Sequence, residues 1–111
     1  MKSHSGKMTP TEYELFVWSH LYRFGFIRIE HTGKTGDFGA DLIGLDVYGR
    51  RAVIQCKLYK KPVGVKAVQE VIAARQYYRT SRAIVVTNST FTKAAKKLAA
   101  RCGVELLEKF H

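Results

Sequence analysis

Apolar positions along this chain change between helical and extended spacing, and those changes mark out its elements. Tyr13, Phe16, Val17, Leu21 and Phe24 recur at three- and four-residue intervals, as the buried stripe of a first helix does. Thr9-Pro10-Thr11-Glu12 opens that helix as a capping box with proline at the first helical position, and Gly25 closes it. Phe26 to His31 then alternates and predicts a strand. A glycine-bearing loop, Thr32 to Gly39, leads into two further strands that end near Leu45 and Lys57. Beyond the loop Tyr59 to Gly64, which contains Pro62, the helical spacing returns from Val65 to Tyr78 with Val65, Val68, Val71 and Ile72 inward. Ala83-Ile84-Val85-Val86 is a continuous apolar run, as in a parallel strand covered on both faces. The stripe Phe91, Ala95, Leu98, Cys102 predicts a last helix closed by Gly103, and Val104 to Leu107 a final short strand. The order α-β-β-β-α-β-α-β predicts an α/β fold: a mixed sheet flanked by helices, with an antiparallel hairpin on one side.

The two middle strands carry the candidate chemistry. Gly49 suits the left-handed position of a three-residue loop, Val47-Tyr48-Gly49. That loop sets Asp46 opposite Arg50 and, counting back, Asp41 opposite Gln55. Side chains alternate along a strand, so Gln55 and Lys57 share one face while Ile54 and Cys56 point to the other. Asp41, Gln55 and Lys57 are then expected to converge on one face. A carboxylate and an amide oxygen suit a hard cation, and an ammonium beside them suits phosphodiester cleavage. The same residues also fit a solvated strand edge, where lysine is common. Against that, Gln55 and Lys57 directly follow an apolar run of the central-strand type, where polar side chains are costly unless used.

Charge adds a partner. With 111 residues and a formal net charge of +10, the chain is one small basic domain suited to a polyanion. Lys60, Lys61 and Lys66 flank the motif, and Lys93, Lys97 and Arg101 repeat every fourth residue on the last helix; these are candidate phosphate contacts. Nucleic acid is favoured over a membrane surface because no amphipathic Trp/Leu-rich helix is evident. Cys56 and Cys102 lack metal-ligand spacing and read as small core residues, and His4, His20, His31 and His111 are scattered. No apolar run is long enough to span a bilayer and no signal pattern opens the chain, so a cytoplasmic location is expected. Residues 1–8 are expected to be a flexible N-terminal segment and 9–111 the folded domain. The polar opening is equally compatible with a longer parent protein.

Five ordered segments resemble the catalytic domain of Mrr-type restriction endonucleases, within the PD-(D/E)xK nuclease superfamily. They are Glu12-Tyr13-Glu14-Leu15-Phe16 with Arg23-Phe24-Gly25-Phe26, the G-x-D block Gly36 to Asp41, the Q-x-K variant Gln55-Cys56-Lys57, Val68-Gln69-Glu70-Val71, and Val86 to Thr92. The resemblance runs from about Thr9 to Leu107. It implies a DNA endonuclease dependent on Mg²⁺, with Mn²⁺ as a substitute, leaving 5′-phosphate and 3′-hydroxyl ends in DNA restriction or processing. It implies Asp41, Gln55, Glu14 and the backbone carbonyl of Cys56 as metal ligands, and Lys57 as the residue that orients water and offsets developing charge. Gln69 is expected to contact DNA or orient Lys57, and Asp37 to shape the loop or hold a second metal. Larger members carry a separate DNA-recognition domain; no helix-turn-helix is recognisable here, so target choice stays open, as does a homodimer. Two other readings remain: a Holliday-junction resolvase-like nuclease, against which the missing E-x-K counts, and a catalytically silent DNA-binding module.

Overall fold

The computed structural model describes residues 7–32 and 39–111. The capping box forms: the Thr9 hydroxyl accepts from the Glu12 N–H at 3.1 Å, and the Glu12 carboxylate accepts from the Thr9 N–H at 2.9 Å. These bonds start α1, Pro10–Leu21. The chain then tightens into a 3₁₀ turn, Tyr22–Phe24, before Gly25 turns it out with φ 89°. Tightening from 3.6 to 3.0 residues per turn takes Phe24 off the buried stripe. Phe24 is 53% exposed, contrary to its expected place, while Tyr13, Val17 and Leu21 carry the buried face.

Strands β1 (Phe26–His31), β2 (Leu42–Asp46) and β3 (Arg51–Lys57) form an antiparallel meander. Helix α2 (Val65–Tyr78) crosses to β4 (Arg82–Thr87), and α3 (Lys93–Cys102) crosses to β5 (Glu105–Leu107), both parallel additions. The sheet order is β1-β2-β3-β4-β5. A parallel neighbour requires a long crossover, which is why a helix separates each of these pairs.

The pleat of β3 divides the core. Ala52 and Ile54 pack with Tyr13, Val17 and Leu21 of α1. Val53 packs on the opposite side with Val68 and Val71 of α2 and Ala95 and Ala99 of α3. The sheet is therefore covered on both faces at its centre, as the apolar run of β4 implies.

Asp46 anchors the hairpin. Its carboxylate accepts from the backbone N–H groups of Tyr48 and Arg50, and from the side chains of Arg50 and Arg82, each at 2.9 Å. Arg82 also forks onto Glu105 at 2.7 and 2.8 Å, linking the hairpin to both parallel strands. Burial pushes the Asp46 carboxyl up, but the Arg50 and Tyr48 N–H groups and the two guanidinium groups outweigh it and hold the carboxyl at about 2. The pairs Leu42–Ile54 to Leu45–Arg51 give the register the turn demands.

Candidate active site

That register runs as far as Leu42 opposite Ile54, and Asp41 lies one residue before β2 begins; the expected pairing of Asp41 with Gln55 is not part of it. The Asp41 N–H donates at 2.8 Å to the carbonyl of Ile54, the residue already paired with Leu42, so Asp41 and Leu42 both address Ile54 and the ladder is irregular here. The following rung is different: the Cys56 N–H donates at 2.8 Å to Oδ2 of the Asp41 side chain. The carboxylate thus takes an acceptor position normally filled by backbone. It lies at the end of β2, where the two sheet faces meet, and not squarely on one of them. Thr32 secures the approach, its hydroxyl donating to the Ala40 carbonyl at 2.8 Å.

Each face sends a group to this fork. From α1 comes Glu14, beside the buried stripe as expected. It forms a hydrogen bond with Asp41, and its Oε1 lies 3.7 Å from Nε2 of His31. From α2 comes Glu70, whose Oε1 accepts from Nε2 of Gln55 at 3.1 Å and lies 3.6 Å from Nζ of Lys57. Asp41, Gln55, Lys57 and Glu14 are therefore brought together, but around the strand end, with helices approaching from both sides. The expected single face is replaced by this fork because Asp41 bonds in the plane of the sheet.

Electrostatics at the fork favour a positive charge. Burial raises the Asp41 carboxyl above its ordinary value, against lowering by the Cys56 N–H, Lys57, His31 and Glu14. Burial also raises Glu14, as does repulsion from Asp41. The hydrogen bond between them raises Glu14 and lowers Asp41. Two partly buried carboxyls side by side are a pair that a cation would relieve. Cys56 turns to the face opposite Gln55, as expected, but that is the face from which Glu14 arrives. Burial, Asp41 and Glu14 push its thiol well up, so it stays neutral. Both cysteines are free.

Gln55 shows one further feature. It is 5% exposed, and its Oε1 is buried without a hydrogen-bond partner. The Glu70 contact settles which end of the amide is which, because an ionised carboxylate only accepts. No group of three or more His, Cys, Asp or Glu side chains is arranged for a metal among the described residues. A cation here would draw on two carboxyls and on neutral oxygens, of which the Gln55 amide is one; the Cys56 carbonyl belongs to a residue in the ladder opposite Val86.

Lys60, Lys61, Lys66, Lys93, Lys97 and Arg101 are all exposed. The bridge between Val63 and Phe91 holds the loop bearing Lys60 and Lys61 beside the segment that enters α3. Gln69 is exposed, and its neighbour Glu70 contacts Lys57 instead. Asp37 lies outside the described residues. Sequence reasoning passed over Glu70 and His31. Glu70 had a signal, as the sole acidic residue of α2.

Comparison with known proteins gives this arrangement a context. The family model Mrr_cat, described as restriction endonuclease, matches residues 5–109. The type IV methyl-directed restriction enzyme EcoKMrr of Escherichia coli (strain K12) is 30% identical over 99 residues, which is 84% of this chain and 33% of that protein. The chain thus spans a third of the length of this curated relative. A repair endonuclease from Pyrococcus abyssi has a TM-score of 0.68 at 21% identity, covering 96% of this chain and 49% of that one. An EndoMS–dsDNA2 complex gives 0.63 at 18% identity, covering 96% and 48%. These two structures share the fold.

Proposed function

This chain belongs to the restriction endonuclease family as an endonuclease domain of the Mrr type, and on that premise we propose that it hydrolyses the phosphodiester backbone of DNA with a divalent cation, Mg²⁺ or in its place Mn²⁺. The observation that carries the cation is the unpartnered Gln55 oxygen. A buried acceptor left without a donor costs about 1–3 kcal/mol, which a ligand would recover. Beside it, burial raises the carboxyls of both Asp41 and Glu14, and Asp41 raises Glu14 further. Asp41, Glu14 and Gln55 would hold the ion, with the Cys56 carbonyl as a further oxygen donor. When bound, it supplies positive charge against the scissile phosphate and its attacking water.

The chain's own residues supply the rest. Lys57 is 23% exposed, so it can reach a phosphate from the protein side while remaining oriented by Glu70. Its ammonium donates to the attacked phosphate and offsets the charge that grows on it. Water adds to phosphorus, the bond to the 3′ oxygen breaks, and that oxygen takes up a proton, leaving a 5′-phosphate and a 3′-hydroxyl. Exposed lysines beside the fork and along α3 hold the duplex by its phosphates. A binding-only module would have no use for a raised carboxyl pair and an unpaired buried oxygen, so we set that reading aside.

Supercoiled, linear, methylated and four-way-junction DNA, incubated with the chain and with Mg²⁺, Mn²⁺ or chelator, tests the proposal. Cleavage that needs the cation, yields 5′-phosphate ends and is lost in Asp41→Ala is expected. A junction-only product would favour a resolvase. Cleavage in chelator, or by Asp41→Ala at the wild-type rate, overturns the assignment.

A further inference from the structure

Gln55 is neutral, so the strand itself brings no negative charge beside Lys57. Glu70 brings one from the helix. Its Oε1 is at once 3.1 Å from the Gln55 amide nitrogen and 3.6 Å from the Lys57 ammonium. One carboxylate oxygen therefore does two things. It draws the amide nitrogen of Gln55 toward α2, which turns Oε1 the other way and leaves it buried and unpaired. It also holds the Lys57 side chain, whose flexible stem would otherwise cost entropy to fix. A second contact locks this geometry: Gly39, two residues before Asp41, packs directly on the Glu70 backbone. The loop bearing Asp41 and the helix bearing Glu70 are thereby placed against each other.

We infer that Glu70 is a positioning residue of the site, supplying from α2 the carboxylate charge that Gln55 lacks and fixing the Gln55 amide with its oxygen free for a cation. This rests on the proposed cation-dependent nuclease site. Charge and acceptor are divided between two residues, and the division should be reversible. Gln55→Glu alone places two carboxylates in contact. Exchanging the pair, Gln55→Glu with Glu70→Gln, restores one charge and one amide.

The full chain is titrated with Mn²⁺ alone, bound and free ion being separated by electron paramagnetic resonance, and cleavage of supercoiled DNA is followed in parallel. Outer partners of metal ligands typically contribute about 10- to 100-fold in affinity or activity. Glu70→Ala is expected to weaken Mn²⁺ binding and slow cleavage within that range of about 10- to 100-fold. Glu70→Gln, nearly isosteric, isolates the charge and should show a smaller loss. Gln55→Glu should be impaired in cleavage, and the exchange variant should recover relative to it. Circular dichroism and thermal unfolding establish that each variant is folded; Glu70 is 36% exposed, so its replacement leaves the core intact. Wild-type binding and cleavage in both Glu70 variants, or an exchange variant no better than Gln55→Glu, overturns the inference. If the wild-type chain binds Mn²⁺ but cuts no DNA, the nuclease reading falls while the Mn²⁺ titrations still decide the role of Glu70. If it binds no Mn²⁺, both fall.

Discussion

Substituting Gly39 by alanine tests the contact that joins the Asp41 loop to α2. Gly39 has φ 75°, and a methyl group there would collide with the Glu70 carbonyl oxygen, lying 2.7 Å from its carbonyl carbon and 2.9 Å from its Cβ. A left-handed conformation costs an L-residue about 1–2 kcal/mol. Crowding of a packed position adds about 1–3 kcal/mol, because backbone has to move. Together the loss is about 2–5 kcal/mol, against a total stability of about 5–15 kcal/mol for a domain. Gly25→Ala is the matched control, since Gly25 has φ 89° but nothing within 4 Å of the added methyl. It should lose only the backbone component of about 1–2 kcal/mol. The gain from a stiffer unfolded chain is the same for both and cancels. Urea unfolding followed by Trp18 fluorescence, with thermal melts alongside, gives both values. Each kcal/mol lost should lower Tm by about 4–8 °C. Gly39→Ala should also cut DNA poorly even where folded, because Asp41 moves with the loop, whereas folded Gly25→Ala should retain cleavage. Equal destabilisation of the two variants, within about 0.5 kcal/mol, would refute the packing of Gly39 on Glu70.

Other consequences are separable. Lys57→Ala should slow cleavage by about a hundredfold or more and weaken DNA binding, while Asp41→Ala stops cleavage and leaves affinity unchanged or higher, because it removes a negative charge near phosphates; single-turnover rates and binding isotherms distinguish them. If Lys60, Lys61, Lys66, Lys93, Lys97 and Arg101 all engage phosphates, log K for duplex DNA should fall with log salt at a slope of roughly −5, and Lys97→Ala should make it shallower by about 1. Asp46, held at about 2 from the ordinary 3.8, contributes stability that is complete above about pH 4 and lost as pH falls through about 2. Asp46→Asn should therefore be less stable than wild type near neutrality and show a flatter decline of stability between about pH 4 and pH 2, read by denaturant midpoints.

What the sequence by itself determined is the local part. The capping box at Thr9, the Gly49 turn and the alternation of β3 depend on residues a few positions apart, so they could be counted from the chain. The turn length fixed the register as far as Leu42 opposite Ile54, because each residue of an antiparallel ladder fixes the next, but the count could not show that Asp41 then returns to Ile54 instead of pairing with Gln55. Glu14 was likewise legible as a carboxyl beside a buried stripe. The tertiary structure decided what crosses between elements. Phe24 left its expected stripe when the last turn of α1 tightened. The site gathered around a strand end, because Asp41 spends one oxygen on the Cys56 N–H in the plane of the sheet. Glu70 joined Gln55 and Lys57 only once α2 had packed across β3 with Val68 and Val71 buried beneath it. His31 reached Glu14 because β1 lies next to β2 at the open edge of the sheet. No periodicity encodes such meetings: they depend on where separate elements settle on a shared core, and the charges then find partners that lie far apart in the chain.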